Sequence, residues 1–268
     1  VIESILEKKD TVAVMPTGSG KSICYQIPAL ILDGVTIVIS PLISLMKDQV
    51  DALKEMGIKA AYINSSISNK EMQQRLKATA DGEYKLLYVA PERLNSLRFI
   101  NLLKNLDIAM IAVDEAHCVS HWGHDFRPSY LNIAQIVERL NKKVILTAFT
   151  ATATPQVKRD ISIQLKMNNP LIYTSGFDRP NLSFRIRKGI DKDQFLKDYL
   201  KVNSDQPGII YAATRKEVNR IYQLLNKLDY QVARYHAGLS DQERTEAQED
   251  FIYDKIKIVV ATNAFGMG

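Results

Sequence analysis

Two short segments of the chain carry residue types suited to nucleotide chemistry. Residues 17–22 read Thr-Gly-Ser-Gly-Lys-Ser, and residues 114–117 read Asp-Glu-Ala-His. Glycines let backbone N–H groups close around phosphate oxygens, and serine and aspartate oxygens are suitable magnesium ligands. A lysine supplies positive charge, and a glutamate beside the aspartate can activate water. Together the two segments supply what cleavage of a nucleoside triphosphate requires.

The first segment follows a strand-like run and has the working part of a phosphate loop, although Met15 stands where the full pattern has glycine. We predict that Lys21 reaches the β- and γ-phosphates and that Ser22 binds magnesium. The alternative is an ordinary glycine-rich turn between a strand and a helix. The predicted ATP-binding residues are Met15, Pro16, Thr17, Gly18, Ser19, Gly20, Lys21 and Ser22.

The second segment follows five apolar residues at 109–113, which read as a buried strand. Its carboxylates should therefore lie at the carboxyl edge of a parallel sheet, where α/β proteins bind ligands. We predict that Asp114 holds magnesium through water and that Glu115 orients and deprotonates the attacking water. The alternative is a solvated strand end.

Residues 120–128, the aromatic loop, read Ser-His-Trp-Gly-His-Asp-Phe-Arg-Pro and include the only tryptophan of the chain. Aromatic rings beside a cation suit stacking on unpaired bases. The histidines and acidic residues nearby do not have the spacing or ligand count of a convincing metal site. The alternative is a loop whose rings pack over the sheet, and the residues alone do not decide between these two interpretations.

Other polar residues follow strand-like runs. Hydroxyls at Thr150 and Thr152 could pass hydrogen bonds between a nucleotide site and a second ligand, or the segment could cap the helix that begins at Pro155. In the second half of the chain, three strand ends carry Arg215, His236 and Thr262. They could form a track for a phosphate backbone, whereas each alone is more typical of a helix cap.

The elements that position these residues alternate between short apolar runs and amphipathic helices, which predicts an α/β fold with mostly parallel sheets flanked by helices. Strands are predicted at 11–15, 36–41, 60–64, 85–90, 109–114, 144–150, 171–174, 182–187, 208–212, 231–235 and 256–261. Helices are predicted at 128–140, 192–202, 215–228 and 240–253. A turn-rich segment at 176–181 divides the chain into two predicted domains, 1–177 and 178–268.

Composition adds broad limits. The chain has 268 residues, 46% hydrophobic and 24% charged, with no apolar run near the roughly 18 residues of a membrane span. Its two cysteines, Cys24 and Cys118, provide no disulfide framework, so an intracellular, reduced location is predicted. A net charge of +5 favours a polyanionic partner only weakly. The sequence pattern at both ends indicates truncation, so we expect the chain to be a piece of a longer protein with an incomplete second domain.

In their order along the chain, these motifs resemble those of superfamily 2 helicases, and most closely the RecQ family of DNA helicases. The similar segments are 15–22, 40–49, 88–94, 114–117, 150–152, 177–182, the stretch from 208, and 261–268. The resemblance implies two RecA-like domains of the P-loop NTPase type, with ATP between them and a cleft whose closure ratchets single-stranded DNA. It also implies ATP and Mg²⁺ as cofactors, and unwinding in the 3′ to 5′ direction during recombination and repair.

The aromatic loop is similar to the loop by which RecQ enzymes sense single-stranded DNA, which moves its interpretation toward DNA. By position, Trp122, Phe126 and Arg127 are then the coupling residues, while His117 and residues 150–152 relay between the ATP and DNA sites. The implied partners are single-stranded and partly duplex DNA and no membrane. No protein partner can be named.

The chain departs from the family where it lacks the adenine-reading glutamine motif, the arginine-bearing motif VI and the zinc-binding and winged-helix regions. Zinc would belong only to a region absent from this chain. We therefore expect it to bind ATP–Mg²⁺, to hydrolyse ATP poorly and not to unwind duplexes, since an arginine at the γ-phosphate contributes about 10³–10⁵ in rate. The alternatives are an RNA helicase, a binding module with an inactive nucleotide site, and a metabolic phosphotransferase.

Overall fold

A computed structural model describes residues 1–123, 125–140, 144–176 and 181–265 of the chain. The chain divides into two compact units, Val1–Arg179 and Pro180–Gly268. Residues 177–180 of the predicted linker, His124 of the aromatic loop, and residues 266–268 at the end of the last helicase-like segment lie outside the described residues.

The first unit is built on a parallel sheet. Within its described residues the strands are β1 (Thr11–Val14), β2 (Val35–Ile39), β3 (Ala60–Ile63), β4 (Leu86–Val89), β5 (Ile108–Val113), β6 (Ile145–Thr150) and β7 (Leu171–Thr174). Its helices are α1 (Ile2–Leu6), α2 (Lys21–Ile31), α3 (Ile43–Glu55), α4 (Asn69–Ala80), α5 (Leu97–Leu103), α6 (Asn132–Arg139) and α7 (Pro155–Gln164). The strand order is β3-β4-β2-β5-β6-β1-β7, and all the strand pairs are parallel.

Apolar side chains cover both faces of this sheet. Ile37 and Leu146 belong to one buried layer, whereas Val38 and Phe149 belong to the other. Successive residues of a strand point to opposite faces, so a strand that is buried on both sides needs an unbroken apolar run. This is why the runs of β1, β2 and β5 have no polar alternation.

The strand order places β1, β6 and β5 side by side. Thr11 of β1 pairs with Thr147 of β6, and Val113 of β5 pairs with Ala148 of β6. Because the strands are parallel, the segments that follow them leave at the same edge of the sheet. That edge receives the phosphate-loop segment, the Thr150 segment and the acidic pair.

The second unit contains a smaller parallel sheet. Among its described residues the strands are β8 (Gly208–Tyr211), β9 (Val232–Tyr235) and β10 (Ile258–Ala261), in the order β8-β10-β9, with helices α8 (Lys192–Val202), α9 (Arg215–Asn226) and α10 (Asp241–Ile252). A capping box on Ser240 and Glu243 starts α10. Val218 and Leu225 of α9 pack on Val260 of the central strand.

Most predicted elements are confirmed, with ends that differ by one or two residues. The predicted helix at 128–140 is a short 3-10 turn, Pro128–Leu131, followed by α6. The predicted strand at 182–187 is wrong, because the structure assigns no strand to these exposed residues. Its alternating apolar pattern is strand-like, but a strand also needs a hydrogen-bonding neighbour, which a local pattern does not supply.

One glycine is required by the close packing of β2 on β5. Gly34 has φ of +93°, and a Cβ there would lie 2.5 Å from the Asp107 carbonyl oxygen. Gly82 also has positive φ, +78°, but no atom of the described residues would lie within 4 Å of a Cβ there. We expect Gly82→Ala to lose roughly 1–2 kcal/mol of stability from backbone strain alone. Gly34→Ala should lose about 1–3 kcal/mol more, because a backbone atom must move.

Urea unfolding followed by Trp122 fluorescence measures both losses, since this tryptophan lies in the first unit. A Gly34→Ala loss no larger than that of Gly82→Ala would show that the contact with Asp107 is readily relieved.

Candidate functional site

The loop between β1 and α2 has the backbone geometry of an anion cradle. Gly18 and Gly20 adopt left-handed conformations, with φ of +80° and +86°. Gly20 is the residue before α2, and no side chain caps this helix end. The first N–H groups of α2 therefore remain available, with the positive end of the helix dipole, for a phosphate.

Met15, the departure from the phosphate-loop pattern, is held between the sheet and the helix. Its N–H donates to the Thr150 carbonyl at 3.0 Å, which continues the pairing of β1 with β6. Its sulfur lies 3.9 Å from the Cys24 thiol of α2. Burial raises the pKa of the Cys24 thiol. A glycine at position 15 could not make this contact with Cys24. Methionine in place of the glycine of the pattern is therefore accommodated by packing of its side chain.

Lys21 and the acidic pair meet at this edge. The Lys21 Nζ atom is 3.8 Å from Oε1 of Glu115, and their side chains are only 12% and 25% exposed. Glu115 is in the left-handed region, with φ of +47°, which is unusual for a residue with a long side chain. Its own N–H donates to Oδ1 of Asp114 at 2.9 Å. The turn after β5 thus brings the Glu115 carboxylate to the lysine and the Glu115 N–H to the Asp114 carboxylate.

Asp114 is buried beneath this turn, with 9% exposure. Burial, reinforced by the neighbouring Glu115 carboxylate, raises the pKa of Asp114 to about 6, while Lys21 opposes the rise. Its backbone is held on both sides, since its N–H donates to the Ile39 carbonyl and its carbonyl accepts from the Tyr130 hydroxyl at 2.9 Å. An ionised carboxylate here is costly unless a cation joins it.

His117 links the acidic turn to the neighbouring strand end. Its Nδ1 atom lies 3.2 Å from Oε2 of Glu115 and 2.9 Å from the Thr150 hydroxyl, and the residue is 4% exposed. The Thr150 hydroxyl in turn donates to the Thr152 carbonyl at 3.0 Å. A continuous line of polar contacts therefore runs from Lys21 to Thr152. The helix-cap alternative applies to Thr154 instead, whose hydroxyl accepts from the Val157 N–H.

In the aromatic loop, which follows this turn, the Trp122 ring is exposed and the Phe126 ring is stacked. Trp122 is 75% exposed. Phe126 stacks on His121 at a centroid distance of 3.8 Å. The Arg127 guanidinium donates to the Asp125 carboxylate at 3.0 and 2.9 Å and to the Pro41 carbonyl at 3.2 Å. The loop is thus partly organised by its own contacts, and it presents an indole to solvent.

In the second unit, Arg215, His236 and Thr262 follow three neighbouring strands at one sheet edge, because Ala261 pairs with both Tyr211 and Tyr235. The cap alternative holds for Thr214, whose hydroxyl accepts from the Glu217 N–H. His236 is buried against Asn219 and accepts from the Gly238 N–H. Burial and then the nearby Arg234 lower its pKa.

Residues 1–161 match the DEAD/DEAH box helicase family, and residues 191–268 match the helicase conserved C-terminal domain. The chain belongs to the DEAD/DEAH box helicase family. The predicted resemblance to RecQ helicases is confirmed, because the chain is 54% identical, over 97% of its length, to the ATP-dependent DNA helicase RecQ of Bacillus subtilis.

Other relatives of this helicase-family chain match over its full length. The ATP-dependent DNA helicase RecQ of Pasteurella multocida is 42% identical, as is a putative ATP-dependent RNA helicase of Acanthamoeba polyphaga mimivirus. The chain spans 44%, 42% and 49% of these three curated relatives. The solved structure of the DUF1998 helicase MrfA bound to DNA and AMPPNP shares the fold, with a TM-score of 0.74 at 21% identity over all of this chain and 42% of that one. The predicted class of two RecA-like domains is thereby confirmed.

The residues present fit magnesium–ATP. The left-handed glycines and the uncapped end of α2 suit phosphate oxygens, and the Ser22 hydroxyl and Asp114 carboxylate are the hard oxygen donors that Mg²⁺ prefers. Beyond the nucleotide site, Tyr130 holds the acidic turn, and Ser120, Asp125 and Asp160 hold the aromatic loop, although none was predicted to do so. Their partners lie far along the chain or in a loop, and no local pattern marks them.

The buried carboxylate yields a prediction about stability. The pKa of Asp114 is about 6 in the folded chain and 3.8 as the ordinary value. As the pH rises, the unfolded chain therefore loses this proton before the folded chain does. The free energy of unfolding falls between about pH 4 and 6, and this group lowers it no further above that range. In the absence of magnesium and nucleotide, Asp114→Asn should be more stable than the parent by about 1–3 kcal/mol at pH 8.

At pH 4 the two proteins should unfold at nearly the same urea concentration, since both then carry a neutral group at this position. Asp81→Asn, at an exposed helix end, is the matched control and should show no such pH-dependent gain. If Asp114→Asn is less stable than the parent at both pH values, ionisation of the buried Asp114 carboxylate does not destabilise the folded chain as predicted.

Proposed function

We propose that this chain is the nucleotide-binding and DNA-contacting part of an ATP-dependent DNA helicase that moves 3′ to 5′ and acts in recombination and repair. The observation that carries the proposal is the polar line from Lys21 through Glu115 and His117 to Thr150. It joins the candidate phosphate site to the turn from which the aromatic loop departs. The relatives named RecQ support the same activity.

Each residue of the site has a proposed role. The backbone of residues 15–20 and the side chain of Lys21 would bind the phosphates, and Ser22 and Asp114 would hold Mg²⁺. Bound magnesium–ATP supplies the phosphoanhydride and a cation that neutralises phosphate charge. Glu115 would orient and deprotonate water, and its contacts with Lys21 and His117 fix the direction of its carboxylate.

His117, Thr150 and Thr152 would carry the state of the nucleotide site to the DNA site. His117 contacts Glu115 and Thr150 through the same nitrogen, so a change at the carboxylate alters the hydrogen bond to the threonine. The aromatic loop starts three residues after His117. We propose that Trp122 and Phe126 contact unpaired bases and that Arg127 positions the loop or meets a phosphate.

The second unit would contribute a phosphate-backbone track from Arg215, His236 and Thr262 at its sheet edge. We also propose that the domain boundary lies near residue 178, with domains 1–177 and 178–268, which is supported by the two compact units. The proposed partners are single-stranded and partly duplex DNA, and the proposed location is intracellular and DNA-associated. Within the described residues, no helix has the length and apolar character of a membrane span.

An RNA helicase is the second candidate, because one relative of comparable identity is named a putative ATP-dependent RNA helicase. The two candidates share the catalytic residues, so only the nucleic acid that binds separates them. A binding module with an inactive nucleotide site is less well supported, since Lys21, Asp114 and Glu115 are all present and close together.

The nucleotide site is tested by Lys21→Ala. Removing the charge that meets the β- and γ-phosphates should weaken the binding of a fluorescent ATP analogue with Mg²⁺ by about tenfold or more, as expected when a charged hydrogen bond is lost. Lys54→Ala, an exposed lysine of α3, should bind like the parent. Titration by fluorescence anisotropy measures both. Equal affinities for the parent and Lys21→Ala would place nucleotide binding elsewhere or exclude it.

The nucleic-acid class is tested with the intrinsic fluorescence of Trp122, the only tryptophan in the chain. Stacking of a base on this exposed indole should quench its emission. We expect oligo(dT) to quench at lower concentration than oligo(U) of equal length, at one fixed salt concentration. Stronger quenching by oligo(U) would favour the RNA helicase instead.

A further inference from the structure

The backbone of the aromatic loop is fixed to a helix that is distant in sequence. The Ser120 hydroxyl donates to Oδ2 of Asp160, on α7, at 2.6 Å. The same hydroxyl accepts the Trp122 N–H at 3.1 Å. Ser120 is 1% exposed, so both contacts are shielded from water. A carboxylate on α7 thereby orders the backbone of the residue that presents the indole.

The two hydrogen bonds of the Ser120 hydroxyl have a defined direction: it donates to Asp160 and accepts from Trp122. A hydroxyl that donates to a carboxylate becomes a better acceptor, so the Asp160 contact strengthens the bond from the Trp122 N–H. The other carboxylate oxygen of Asp160 accepts from the Gln156 amide at 3.0 Å, which holds the carboxylate in place. The oxygen that accepts from Ser120 therefore comes from α7 and not from the loop.

Close packing fixes the next residue of the loop. The Gly123 N–H donates to the Ser120 carbonyl at 2.9 Å. A Cβ at Gly123 would lie 2.3 Å from the His117 carbonyl oxygen. The loop thus lies directly against the backbone of His117, which itself contacts Glu115 and Thr150. At its other end the loop is held by the Arg127 N–H, which donates to the Cys118 carbonyl.

The position of α7 connects the Ser120–Asp160 hydrogen bond, which anchors the aromatic loop, to the His117 turn. This helix begins at Pro155, just after the segment in which Thr150 contacts His117. The aromatic loop and the His117 turn are therefore tied to the same strand-to-helix segment, by Ser120–Asp160 and by His117–Thr150. A shift of that segment would act on both contacts together.

We propose that Asp160 is a positioning residue that holds the aromatic loop, through Ser120, in the conformation that receives DNA. The proposal rests on the proposed function, since it assumes that Trp122 meets nucleic acid. Asp160 touches neither nucleotide nor DNA in this scheme. It acts by ordering the Trp122 backbone while leaving the indole free.

Four single variants of the full chain test this inference. Asp160→Ala and Ser120→Ala each remove the anchor, and Asp160→Asn retains an oxygen that accepts from Ser120. Ile163→Ala, at a 67% exposed position of the same helix, is the matched control. The readouts are the nanosecond anisotropy decay of Trp122, which reports local motion of the loop, and quenching of Trp122 by oligo(dT).

We expect Asp160→Ala and Ser120→Ala to increase the fast component of the decay and to weaken oligo(dT) binding by about threefold to tenfold, as for partial loss of one stacking contact. Combining them should add no loss beyond that of Ser120→Ala, because Asp160 acts on the loop through the Ser120 hydroxyl. Asp160→Asn and Ile163→Ala should resemble the parent, and all the variants should retain the parent's affinity for magnesium–ATP.

Unchanged decay and unchanged oligo(dT) affinity in Asp160→Ala would overturn the proposal. If oligo(dT) fails to quench the parent, the proposed DNA contact fails, and the anisotropy decay still decides whether Asp160 orders the loop. If Asp160→Ala does not fold, Ser120→Ala provides the same comparison against Asp160→Asn. An equal loss of oligo(dT) affinity in Asp160→Asn and Asp160→Ala would also overturn the proposal, because asparagine retains an oxygen that accepts from Ser120.

Discussion

The side-by-side order of β1, β6 and β5 is the constraint on which the candidate site depends. Each strand is followed by one part of the chemistry: the phosphate loop after β1, Thr150 at the end of β6, and the acidic pair after β5. Parallel neighbours are about 4.8 Å apart, so side chains at adjacent strand ends can touch. The 2.9 Å contact of His117 with Thr150 follows from the pairing of β5 with β6. Lys21 and Glu115 follow strands on either side of β6, so their 3.8 Å separation also depends on long side chains. A strand inserted between β5 and β6 would break the polar line at His117.

The same edge concentrates features that oppose folding. Asp114 is a buried carboxylate whose pKa is raised by burial, and Glu115 has a left-handed backbone conformation. Neither helps the chain to fold, and both are typical of functional sites. The apolar layers on the two faces of the sheet, among them Ile37 and Phe149, offset these costs. The balance explains how a strained turn persists within a well-packed unit.

The aromatic loop combines a fixed backbone with an exposed side chain. Its contacts with α7, with the His117 carbonyl and with Pro41 involve elements on both sides of the acidic turn. Binding to an ordered loop costs less conformational entropy than binding to a loop that must first be ordered. Trp122 remains available because these contacts engage the backbone and the neighbouring side chains and leave the indole out.

The local features of this protein could be predicted from its amino-acid sequence. Unbroken apolar runs indicated buried parallel strands, glycines and a lysine indicated the phosphate loop, and the ends of α8 were predicted as they occur. These features depend on neighbours within a few residues, so the sequence displays them directly. The strand order, the His117–Thr150 contact and the Ser120–Asp160 anchor join residues far apart along the chain, so they become visible only in the folded structure. The predicted strand at 182–187 failed for the same reason, because strand formation depends on a hydrogen-bonding neighbour that a local pattern does not specify.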